Sequence, residues 1–144
     1  MDYHSYCAIL ERRFLKNEYI SISQNSYRMF TSPTDSSLGD CKLFLFAVNG
    51  QEPSEELCQR FADYARSVVF YKNSSKIGKI YTIVLFFTNN DCSLFLQSRI
   101  AKTSGAITLP CIATADGLNI CNKFPIIFSG DFKKLYDYAK KILK

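Results

Sequence analysis

Tryptophan is absent, histidine occurs once, and no two of the six cysteines stand in a C-x-x-C spacing. Each shortage removes a class of chemistry. A structural zinc site shows paired ligands at short spacing. Cys7, Cys41, Cys58, Cys92, Cys111 and Cys121 are scattered instead, so they read as core thiols of a reducing compartment. Nucleophilic catalysis by a Cys/His or Ser/His pair needs a histidine beside the nucleophile. The sole candidate is His4, near the chain start, and no G-x-S-x-G elbow accompanies it. The six glycines (Gly39, Gly50, Gly78, Gly105, Gly117 and Gly130) are isolated, which removes both the G-x-x-x-x-G-K-[ST] loop and the G-x-G-x-x-G turn.

Long apolar runs are missing as well. The longest, Ile80 to Phe87, falls far short of the roughly 20 residues a spanning helix needs. The opening Met1-Asp2-Tyr3-His4-Ser5-Tyr6 is not the basic-then-apolar pattern of a secretory signal. The expectation is a cytoplasmic protein without a membrane partner.

What is present describes a single domain, residues 1–144. The chain is 47% hydrophobic and 22% charged, with Tyr and Phe supplying all its aromatic rings. A chain of this size buries roughly 70% of its unfolded surface, enough for one core without metals or disulfides. The formal charge of +5 permits an anionic partner but does not demand one.

Periodicity orders the elements. Tyr3, Tyr6, Cys7, Leu10 and Phe14 recur at helical steps, which predicts a helix over 3–15. Tyr19–Ser23 and Tyr27–Phe30 alternate around the polar Gln24-Asn25-Ser26, as a hairpin does. The stretch 31–40 reads as a polar exposed loop. Lys42–Val48 and Ile80–Phe87 are nearly unbroken apolar runs, the signature of strands covered on both faces. Between them, Pro53, Ser54, Glu55 and Glu56 open an amphipathic helix running to about Tyr71. A short helix from Asn90 or Asp91 to about Ala101 follows, then extended chain over 106–115 with Pro110 expected at an edge or bulge. Asp116-Gly117 reads as a hairpin turn into Leu118–Cys121, and Phe124–Phe128 as a short apolar connector or strand. Ser129-Gly130-Asp131 caps a last helix over 132–143.

The expected fold is therefore α/β: a three-layer α/β/α sandwich with a mixed sheet and the order α-β-β-β-α-β-α-β-β-α. Strands 42–48 and 80–87 should be parallel neighbours joined by a right-handed helical crossover.

Three constellations are candidates for function. First, ligands of α/β sheets bind beyond the carboxyl ends of parallel strands, which here present Asn49 and the group Asn89, Asn90 and Asp91. The same residues also serve simply as turn and cap residues. Second, Lys72, Lys76 and Lys79, together with Lys133, Lys134, Lys140 and Lys141 of the last helix, offer a nucleic-acid surface, or equally a solvated helix face. Third, Asp40-Cys41-Lys42 opens the third strand with the D-x-K form. With the order helix, hairpin, strand, helix, strand, this is similar to the core of the PD-(D/E)xK nucleases, the restriction-endonuclease-like group. That resemblance covers residues 3–88 in element order alone. It implies that Asp40 and a second carboxylate hold Mg²⁺ while Lys42 positions or activates water. The hairpin departs from the pattern, its only acid being Glu18 at its start.

With no catalytic constellation intact, the leading expectation is a non-catalytic module, without metal or cofactor, acting on a protein partner or as a homo-oligomer. A metal-dependent nuclease or a degenerate nucleic-acid-binding relative is the alternative.

Overall fold

In the computed structural model of the chain, residues 2–35, 37–38, 42–72, 80–89, 106–126 and 128–143 are described. Among the described residues, six strands form one mixed sheet in sequence order, with helices on both faces. Helix α1 spans Tyr3–Arg13 and runs straight into β1, Phe14–Ile22, which pairs antiparallel with β2, Asn25–Pro33. Strand β3, Lys42–Asn49, is antiparallel to β2 and parallel to β4, Ile80–Phe87. Helix α2, Glu55–Lys72, crosses between β3 and β4. Strand β5, Ile107–Thr114, is parallel to β4, and the short β6, Gly117–Ile120, closes the far edge antiparallel to it. Helix α3, Ser129–Leu143, ends the chain.

Alternation along the central strands builds two cores. Leu43, Leu45, Ala47, Tyr81, Ile83, Leu85, Leu109 and Cys111 face one way, against Tyr6, Cys7 and Leu10 of α1 and Leu135, Ala139 and Ile142 of α3. Phe44, Phe46, Val48, Val84, Phe86 and Ile112 face the other, against Cys58, Phe61, Ala65 and Val69 of α2. Unbroken apolar strands are what a doubly covered sheet requires, and the three-layer α/β/α sandwich follows from that covering. The short helix expected over 90–101 lies outside the described residues.

Several boundaries differ from expectation for local reasons. Helix α1 stops two residues early. The Phe14 amide still closes the last turn onto the Leu10 carbonyl, but Phe14 itself is extended (φ −127°, ψ 139°) and its ring is buried beside Phe30. The first hairpin turns on Ser23 and Gln24, not on Gln24–Ser26, because Ile22 faces Asn25. Both turn residues have positive φ, 52° and 68°, as the two-residue turn that matches strand twist demands. The second hairpin shifts by one residue: Thr114 faces Gly117, leaving Ala115 and Asp116 as its tip. Helix α3 starts at Ser129, so Asp131 sits in its first turn and accepts a hydrogen bond from the Tyr81 hydroxyl at 3.0 Å.

Pro110 is on neither an edge strand nor a bulge. It is buried within β5, facing Val84 of β4. On the β6 side its carbonyl accepts from the Cys121 amide at 3.1 Å, beyond the paired stretch of Cys111 to Thr114. The N–H and C=O of a strand residue point to the same neighbour, so proline's missing donor falls where that ladder ends.

Candidate functional site

The carboxyl ends of the parallel strands β3 and β4 lie at one end of the sheet, where a ligand site was expected. Asn49 and Asn89 are both exposed and close β3 and follow β4 at the same end of the sheet. Asn90 and Asp91 lie outside the described residues. Backbone pairing continues past the strand ends: the Gly50 amide donates to the Phe87 carbonyl at 3.0 Å and the Thr88 amide to Ala113 at 3.2 Å. Gly50 takes φ +80°, a turn that costs glycine nothing. At the α2 N-terminus, Ser54 Oγ accepts from the Leu57 amide at 3.1 Å, and nearby Gln51 Oε1 accepts from the Tyr27 hydroxyl at 2.5 Å.

Of the nuclease-like pair, Asp40 lies outside the described residues. Lys42, the first residue of β3, is exposed and lines a cleft of about 350 Å³ between the β1–β3 sheet and α2. Lys16, Glu18, Thr31, Met29 and Val68 share that cleft. Glu18 is the one acid among the described lining residues, and no group of three or more His, Cys, Asp or Glu among the described residues is arranged to hold a metal. These residues alone do not assemble a donor set for Mg²⁺.

The lysine constellation divides. Lys72 is the last residue of α2, while Lys76 and Lys79 lie outside the described residues. Lys133, Lys134, Lys140 and Lys141 are all exposed on α3. Lys141 is ion-paired with Asp35, and Lys140 Nζ sits 5.6 Å from the centroid of the Tyr136 ring. The hydrogen bond from Lys141, with a second from the Ser37 amide, holds the Asp35 carboxyl below the usual carboxylate range.

A further feature went unread in the sequence because β1 begins five residues before the expected strand. β1 is the outermost strand and pairs with β2 alone among the described residues. It is nine residues long, and it exposes Leu15 and Tyr19, each at 73%. Behind Tyr19, Arg28 of β2 anchors the edge to α1. Its Nη2 donates to Glu11 Oε1 at 2.7 Å and to Asn17 Oδ1 at 2.8 Å, and its guanidinium carbon lies 5.6 Å from the centroid of the Tyr19 ring. At the hairpin tip, Arg60 of α2 bonds the Ser23 hydroxyl and Glu56. The hairpin is therefore tied to α1 through Arg28 and Glu11, and to α2 at its tip through Arg60 and Ser23. The signal available in the sequence was the opposite polarity of Lys16 and Glu18 flanking Asn17, two positions apart on one face of a strand.

The described cysteines, Cys7, Cys58, Cys111 and Cys121, are buried, and none is in a disulfide among the described residues. Burial pushes the Cys58 thiol up to about 12 and raises the thiols of Cys7, Cys111 and Cys121. None is a thiolate nucleophile at neutral pH. No helix among the described residues is long and apolar enough to cross a membrane.

Comparison of the chain with protein-family models, curated proteins and solved structures finds no match.

Proposed function

We propose that this chain is a non-catalytic interaction module of the cytoplasm whose contact surface is the β1 edge. The observation that carries the reading is the outermost nine-residue strand with Leu15 and Tyr19 each 73% exposed. An open strand edge offers unpaired backbone donors and acceptors to another chain, and natural proteins blunt or cover edges that have no partner. The anchoring of this hairpin by Arg28 and Arg60 presents the edge in a set conformation, which lowers the ordering cost of docking. Four buried cysteines outside any disulfide among the described residues support the reading of a reducing compartment.

The test is site-specific crosslinking in the expressing cell. A photoreactive phenylalanine analogue at Tyr19 should give a discrete protein adduct, and the same probe at Lys134 on α3 should not. Loss of the Tyr19 adduct on adding Leu15→Lys ties it to the strand. No adduct at Tyr19, or equal adducts at both positions, contradicts the reading.

The second reading, a metal-dependent nuclease or a nucleic-acid-binding relative, draws on Lys42 sharing its cleft with Glu18 and Lys16. Cleavage of DNA or RNA with Mg²⁺ or Mn²⁺, abolished by Asp40→Ala and by Lys42→Ala, would support it. Absence of cleavage under both metals removes the enzyme.

A further inference from the structure

We infer that the occupant of the β1 edge is β1 of a second copy of this chain, paired antiparallel about a two-fold axis through Asn17. The inference rests on the reading of β1 as the contact surface and deepens it by naming the partner.

The register follows from strand geometry and charge. Residues along β1 direct their backbone groups alternately toward β2 and away from it. In a two-fold antiparallel pair, outward-directed residues must meet outward-directed residues, so the axis passes through a residue facing its own copy. Near the middle of β1 four centres exist. An axis at Lys16 sets Lys16 against Lys16, and an axis at Glu18 sets Glu18 against Glu18, both like-charge contacts. An axis at Tyr19 places Glu18 against Ile20 and Lys16 against Ile22, leaving each charge beside an apolar chain. The axis at Asn17 differs: it sets Lys16 opposite Glu18 of the second copy, and Leu15 opposite Tyr19 of the second copy, each twice. Among the described residues, none of these side chains except Asn17 has an ion-pair or hydrogen-bond partner that the pairing would disturb. Lys16 and Glu18 are exposed and take part in no ion pair among the described residues. Asn17 is neutral, and its Oδ1 is occupied by Arg28.

A single lysine on an edge strand discourages pairing. Opposite charges two positions apart have another effect: they reject every neighbouring two-fold register and satisfy one. The two sheets would then run on as one continuous sheet, with β1 and its copy at its centre and a β6 at each end.

The test is a charge exchange read by solution mass. Wild type should sediment at twice the 16.5 kDa monomer mass at high concentration. K16E sets acid against acid and E18K sets lysine against lysine, so each should weaken the dimer by about tenfold or more. The double exchange K16E/E18K restores both pairs and should restore the dimer. An equimolar mixture of the two single variants should also associate, since acid then meets lysine at all four positions. Asn17→Cys should form a disulfide-linked dimer under mild oxidation, and Lys16→Cys should not. Cooperative thermal melts confirm that the variants are folded, with the melting temperature of a weakened dimer lower by mass action alone. A wild type that stays monomeric, or a double exchange that stays as weak as the singles, overturns the self-pairing. If that occurs while the Tyr19 photoprobe still captures a different protein in cells, the edge remains a contact surface and only its occupant is wrong. If neither dimer nor adduct forms, both readings fall.

Discussion

Glu11 of α1 accepts a hydrogen bond at 2.7 Å from Arg28 of β2, and the same guanidinium nitrogen reaches Asn17 of β1. One side chain thus ties the first helix to both strands of the hairpin. Its own exposure is 11%, against 47% for Glu11, so the arginine is the member whose loss the fold feels.

Replacing it leaves Glu11 and Asn17 without their donor and opens the space over Phe30, whose ring centroid lies 4.9 Å from the guanidinium carbon. Arg28→Met is expected to destabilise the protein by about 1–3 kcal/mol, below the cost of breaking a fully buried pair because Glu11 stays half in water. Arg28→Lys should lose nearly as much, since an ammonium lacks the planar fork that spans two acceptors and stacks on a ring. Glu11→Gln should cost less than either. Urea unfolding midpoints of the three variants give the order directly.

Thr82 offers the opposite sign. It is fully buried in β4, and its hydroxyl has no hydrogen-bond partner among the described residues. A buried hydroxyl without a partner carries its desolvation cost uncompensated, whereas a methyl group of the same shape does not. Thr82→Val is expected to stabilise by about 1 kcal/mol, seen as a higher denaturant midpoint at unchanged m value. A loss of stability would show that the hydroxyl is hydrogen-bonded in solution.

The buried thiols set an alkaline limit. Burial raises the folded Cys58 pKa to about 12 and moves Cys111 up as well. Unfolded cysteine titrates near about 8.5. Below that value both states hold the proton and the thiol's full contribution is present. Above it the unfolded chain ionises while the folded chain does not, so stability falls with rising pH until the folded pKa is passed. Each such thiol removes about 1.4 kcal/mol per pH unit in that window. Unfolding free energies at pH 7, 9 and 10.5 should fall progressively, and Cys58→Ala should flatten the slope. In the native state at neutral pH, Cys58 and Cys111 should resist alkylation.

The centre of this fold was legible because doubly buried strands announce themselves. Leu43 to Val48 and Ile80 to Phe87 carry no polar residue but Thr82, and only a covered parallel pair tolerates that. The edge was not legible. Phe14 stands four residues after Leu10, so helical spacing claimed it, although it is the first residue of β1. Lys16, Asn17 and Glu18 face water on an outer strand, and without a buried face no alternation marks them as a strand. Pro110 misled for a related reason: the rule against interior proline concerns a missing donor, and here the ladder ends where that donor is missing. Of the expected site residues, the parallel-strand asparagines Asn49 and Asn89 were brought to one end of the sheet as topology requires.

The α3 lysines allow one more discrimination. Lys141 is ion-paired with Asp35, and Asp137 lies on the same helix between the two lysine pairs, so the net positive charge of this face is small. Each phosphate neutralised contributes about −0.9 to the slope of log affinity against log salt on duplex DNA. With Lys133, Lys134 and Lys140 as the cations not engaged in an ion pair among the described residues, this face supplies a slope no steeper than about −3. That is too shallow to act alone at physiological salt, so duplex binding measured at about 0.15 M salt should be undetectable. Substituting all three lysines by Gln should leave solution mass unchanged if association runs through β1. Binding that persists at that salt and loses about three units of slope in the triple variant would assign this helix to nucleic acid instead.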